Sequence, residues 1–182
     1  MQADTAPRRP NSGVLRPSAV RRAVHCGRAR FHPDTQMKIE IPEKKKLVFE
    51  SRQTVRMHSQ IGNASPTYCT GVGKAALSTL EDASVRKLLA KTVFRRHTQT
   101  TLASVDEVIA ELGDIRRSGN AYDREEHEPG IICVAAPILV APSHPIAALS
   151  VTATTRDASL SALKLHLPLL KETAKAIAAE AA

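Results

Sequence analysis

At 182 residues and 19.7 kDa, the chain has room for one ordinary domain and a short extra segment. Its 42% hydrophobic content supports a buried core, no apolar run is long enough to cross a bilayer, and a secretory signal is not expected from its first residues. Aromatic residues at 3%, with no Trp, argue against a base-stacking nucleic-acid platform and against a sugar-stacking face. Three scattered cysteines (Cys26, Cys69, Cys133) make no disulfide framework, so a reduced, cytoplasmic protein is expected.

The charge is unevenly spread. Residues 1–46 hold 11 of the 26 Lys/Arg and 4 of the 18 Asp/Glu, so seven of the eight net positive charges sit there. Residues 47–182 are close to neutral, which removes the case for nucleic-acid binding through a basic fold. Pro7, Pro10, Pro17, Pro33 and Pro42 cut the first 46 residues into pieces too short for stable helices. A solvated, disordered basic leader is expected there, with a phosphate-touching arm as the sharper alternative. No helix-turn-helix can be laid out in it.

From Leu47 to Ile61 an imperfect alternation suggests extended chain, and Gly62 to Pro66 reads as a loop. Thr70 is placed to cap a helix opening at Gly71 and Gly73. A second helix fits Ser84 to Lys91, with Val85, Leu88 and Leu89 on one face. A third is signalled by Ser104 and Glu107 as a capping box, Val105, Val108, Ile109 and Leu112 as the apolar stripe, and Gly119 as the stop. Ala121 to Glu126 reads as a strand and Gly130 to Val140 as a buried strand. Ala141 to Pro145 makes a turn, and Ile146 to Thr154 returns antiparallel. Leu163, Leu167, Leu170, Ala174 and Ile177 keep helical spacing, with Pro168 at the start of the last helix or kinking it. Helices in blocks around hairpin-connected strands make an α+β domain.

Chemistry is sparse. Gly71-Val72-Gly73-Lys74 falls short of a nucleotide-binding loop, because Tyr68 and Ala75 stand where Gly and a metal-binding hydroxyl are needed. Two glycines opening a helix present bare N–H groups at its positive end, which suits a small anion, while close packing explains the same glycines equally well. Asp123, Glu125 and His127 offer acid/base groups, but no metal-ligand spacing accompanies them, and a solvated strand end is the plainer reading. Cys133 reads as a buried, inert thiol. Ser150 and Thr152, two apart on a strand, share a face and either pair with neighbours or line a pocket.

Taken together, Ile61-Gly62, Pro66 to Ala75, Thr98-Gln99-Thr100-Thr101, Ile115-Arg116 with Gly119, Tyr122-Asp123 with Glu125-Glu126 and Gly130, Cys133 with Ala135-Ala136-Pro137, and Ala147 to Thr152 resemble the C-terminal effector-binding domain of IclR-family transcriptional regulators. The resemblance covers residues 47–182, and Pro66 to Cys69 with the closing Leu170 to Ile177 lean toward the branch that senses sugar acids. It implies a GAF-like antiparallel sheet flanked by helices, with a small organic acid as effector and no enzymatic activity. It further implies a carboxylate held at Gly71 and Val72, with Asp123, Cys133, Ser150 and Thr152 opposite, and neither metal nor cofactor.

DNA binding would belong to a winged helix-turn-helix that is not visible before Leu47. The first strands of the sensor domain are not visible there either, so the sheet is expected to be incomplete at its N-terminal edge. A homo-oligomer, or pairing with a homologous regulator, is the expected assembly, with no membrane partner. The competing readings are a small acid/base enzyme using Asp123, Glu125 and His127, and a stand-alone sensor that modulates an intact regulator by pairing.

Overall fold

The computed structural model describes residues 28–31, 36–40, 64–141 and 144–181, with side chains over 65–139 and 148–179. Its centre is an antiparallel sheet of three strands, β4 (Ala121–Arg124), β5 (Ile131–Ala141) and β6 (His144–Thr154), in the order β4-β5-β6. Ala141 pairs with His144 and Leu139 with Pro145, so the ends of the stretch read as a turn belong to the strands. Pro137 sits in β5 beyond the last residue paired with β4, where a missing N–H breaks no ladder to that strand.

Strand alternation sorts the sheet into two faces. Cross-strand pairing puts Asp123, Cys133 and Thr152 in one row and Ala121, Ala135 and Ser150 in the next, all on one face. Tyr122, Val134 and Val151 lie in a row on the other face, with Ile132 and Ala153 beside them.

Helices cover both faces. The first face carries α1 (Gly71–Leu77), packed on β4, β5 and β6, with α2 (Asp82–Leu89) and α3 (Val105–Ser118) behind it. Leu77, Val85, Leu89, Val108, Leu112 and Ile115 close this core against Cys133, Ala135 and Ala148. The second face carries α4 (Leu160–Lys164) and α5 (Leu167–Ala181), whose Leu163, Leu167, Leu170 and Ala174 pack on Ile132, Val134, Ile138, Leu149 and Val151. Pro168 stands in the first turn of α5, where its missing N–H costs no helical bond.

The helix signals worked as chemistry predicts. Ser104 Oγ accepts from the Glu107 N–H at 3.2 Å, and Glu107 reaches back to the Ala103 N–H at 2.9 Å, one residue before the cap. Gly119 ends α3 in the left-handed region at φ 68°. Helix α2 begins two residues earlier than expected, at Asp82, with Glu81 as a cap that makes no side-chain bond.

Two strands, β1 (Arg28–Phe31) and β2 (Gln36–Glu40), precede the stretch from Leu47. They pair with each other, and β2 pairs with β3 (Ala64–Pro66), so part of the stretch read as a loop is a strand. β1 lies near β6, and Gln36-Met-Lys-Ile-Glu40 alternates polar and apolar residues as a strand does. The strand at Ala121 stops at Arg124 instead of Glu126, because Glu125 turns the chain with φ 60°. The extended run expected from Leu47 to Ile61 lies outside the described residues.

Candidate functional site

Helix α1 opens onto the polar face of the central sheet. Thr70 caps it, its Oγ1 accepting from the Gly73 N–H at 3.2 Å and donating to the Pro66 carbonyl at 2.7 Å. Both glycines are required by close approach. A Cβ at Gly71 would lie 2.8 Å from Cys133 Sγ and 3.6 Å from the Asp123 backbone nitrogen, and one at Gly73 would run into the Thr67 carbonyl. The start of α1 is therefore seated directly on the row that contains Asp123 and Cys133. Val72, the next residue, is half-buried against the same core.

The structure thus brings the expected site residues to one place. Asp123, Cys133, Ser150 and Thr152 are all buried on the face under α1. The Cys133 thiol is hydrogen-bonded with the Ser150 and Thr152 hydroxyls, and burial, with the neighbouring Asp123 carboxylate, pushes its pKa up to about 12. It is a neutral, unreactive wall. Asp123, 5% exposed, accepts the Glu126 N–H at 2.8 Å, and burial lifts its pKa to about 7 against the pull of that bond. Cys69, behind α1, is likewise raised to about 12 by burial.

A second cluster adjoins the first, one that no motif or spacing announces. Lys74, completely buried, donates to both oxygens of Glu126 at 2.6 and 2.7 Å and to Glu111 Oε1 at 3.3 Å. Arg124 Nη1 reaches the same Glu111 oxygen at 3.0 Å. Burial pushes Glu126 up despite Lys74. For Glu111, burial also pushes up, but Lys74 and Arg124 outweigh it and the carboxyl ends below its ordinary value. The Thr98–Thr101 segment braces this turn: Thr101 Oγ1 donates to the Glu126 carbonyl at 2.6 Å, and Thr100 Oγ1 lies 3.0 Å from the Arg124 and Glu125 carbonyls. Lys74 and Glu126 are 52 positions apart, so no periodic signal links them.

The acid/base trio does not assemble. Glu125 spends Oε2 on the Gly130 N–H at 2.7 Å, Asp123 is bound to the main chain at Glu126, and the His127 ring sits edge-on to His97 with centroids 5.1 Å apart. Burial lowers the His127 pKa, with Glu128 opposing. Among the described residues, no group of three or more His, Cys, Asp or Glu could hold a metal ion, and no helix is long and apolar enough to cross a membrane.

Comparison with known proteins agrees with this architecture. The family model for the C-terminal region of the bacterial transcriptional regulator IclR matches residues 46–179. The transcriptional regulator KdgR of Escherichia coli is 30% identical over 131 residues, which is 72% of this chain and 50% of KdgR. The chain therefore spans about half the length of that relative. Among solved structures, Thermotoga maritima IclR superposes with a TM-score of 0.70 at 26% identity, over 81% of this chain and 57% of that one. The inducer-binding domain of PobR from Acinetobacter, a double mutant in complex with 3-hydroxybenzoic acid, gives 0.66 at 26% identity, over 80% and 82%. These similarities are to regulators, which sets aside the enzyme reading.

Proposed function

The chain belongs to the IclR family of bacterial transcriptional regulators, and from that premise we propose that its α+β domain senses a small organic acid and reports it to transcription. The effector carboxylate accepts from the N–H groups of Gly71 and Val72 at the opening of α1. Asp123 accepts from an effector hydroxyl, Ser150 and Thr152 turn their hydroxyls to it, and Cys133 supplies a small wall. DNA binding is proposed for the regulator as a whole, and the effector is its trigger.

One observation carries this reading: the sheet face beneath α1 holds a buried carboxyl, a thiol and two hydroxyls, where an ordinary core would hold aliphatic side chains. Burying polar groups is costly, and hydrogen bonds of about 1.5–3 kcal/mol to a charged ligand group offset that cost. The PobR domain, similar in fold, is a precedent for a hydroxylated carboxylate in such a domain.

A thermal-shift screen of small keto, hydroxy and sugar acids tests the proposal. A bound acid at 100 times its dissociation constant stabilises the folded state by about 2.7 kcal/mol. The shift is expected in the wild type and lost in Asp123→Ala and Ser150→Ala. An acid that shifts all three proteins equally places its site elsewhere.

A further inference from the structure

Lys74 is among the largest fully buried side chains of the protein, and the effector reading gives it no task. It leaves α1 three residues after Gly71, so it sits almost one helical turn beyond the amides assigned to the acid. Its bonds to Glu126 tie α1 to the turn that follows β4. Glu126 in turn is held on three sides: the carboxylate by Lys74, the carbonyl by Thr101, and the N–H by Asp123. A buried ion pair is a poor device for stability alone, because an apolar pair of similar volume commonly serves as well. Here the pair stands at the one turn whose main chain holds the Asp123 carboxyl, beside the left-handed Glu125.

We propose that Lys74 and Glu126 are a positioning pair of the effector site: by clamping Glu126, Lys74 fixes the N–H that orients the Asp123 carboxyl toward an effector hydroxyl. The pair touches no effector itself. It sets the preference for a hydroxylated acid over the same acid without the hydroxyl. This inference rests on the effector reading above.

The test is calorimetric titration at pH 8 with three matched pairs of acids that differ by one hydroxyl, lactate and propionate, 2-hydroxyhexanoate and hexanoate, 3-hydroxybenzoate and benzoate. Wild type is expected to prefer the hydroxylated member of at least one pair by about tenfold or more, the factor one hydrogen bond to a charged group supplies. In Lys74→Met/Glu126→Gln, which leaves no unpaired charge, that preference is lost at a temperature where circular dichroism shows the variant folded. Affinity for the unhydroxylated member stays within about threefold, as for a site not itself altered. Adding these changes to Asp123→Ala alters the preference no further.

A purely structural pair would lower the melting temperature and leave the preference at its wild-type value, and that result overturns the inference alone. Failure of the wild type to bind any of the six acids would instead overturn the effector reading, and this inference with it. If the double variant does not fold, Glu126→Gln, which leaves Lys74 bonded to Glu111, gives the same readout.

Discussion

The two faces of the central sheet are built from the same three strands and filled by opposite rules. Toward α4 and α5 the strands present Ile132, Val134, Ile138, Leu149 and Val151, large aliphatics that interlock with leucines. Toward α1 they present Ala121, Asp123, Cys133, Ala135, Ser150 and Thr152, small or polar and equally hidden from water. The face toward α4 and α5 stabilises through apolar area removed from solvent. The face toward α1 gives up part of that gain, and its helix carries glycines so that the backbone can approach. That difference between the faces is what the proposed effector site rests on.

The comparison can be broken first at the scaffold face. Leu163→Ala, truncating a wholly buried side chain, should cost about 2–5 kcal/mol in denaturant unfolding and leave acid preference intact. A loss under about 1 kcal/mol would mean that this face is looser than its packing indicates.

A pH series sharpens the contrast from the other side. The folded state holds the Asp123 proton up to about pH 7, whereas the ordinary value is 3.8, so the folded protein binds more protons between those limits. The contribution of Asp123 to stability is therefore full below about 3.8 and lost as pH climbs through about 7. Asp123→Asn does not titrate. Relative to it, wild-type melting temperature should fall by a few degrees between pH 5 and pH 8. Parallel curves for the two proteins would show that Asp123 titrates normally. The comparison with the variant cancels His127, whose lowered pKa acts in the opposite direction.

The smallest effect is expected at Thr152→Val. It removes one hydroxyl from the bonded row with Cys133 while keeping the shape, and should change stability by about 1 kcal/mol. A larger loss would make the polar face a structural network in its own right.

Much of this was legible before any coordinates. Alternation assigned β5 and β6 to buried strands, capping chemistry marked both ends of α3, and the two-residue spacing of Ser150 and Thr152 put their hydroxyls on one side. Family-like motifs then picked out Gly71, Asp123 and Cys133, which cross-strand pairing brings together. What stayed hidden was non-periodic. The bond from Lys74 to Glu126 joins a helix to a turn 52 residues away, and a lysine after Gly73 invites a nucleotide reading that its neighbours refute. In β2 the alternation runs for five residues among prolines and arginines, too short a signal to mark a strand alone.

Because the faces differ so sharply, the ladder between β4 and β5 polices its own assembly. Sliding β4 by one position would thrust the Asp123 carboxyl among leucines and isoleucines while delivering the Tyr122 ring to a ledge cleared for a glycine. Either trespass is expensive, so misaligned pairings are discarded during folding and the chain settles on a single register. The residues that weaken the core as an oil droplet thereby make it unambiguous.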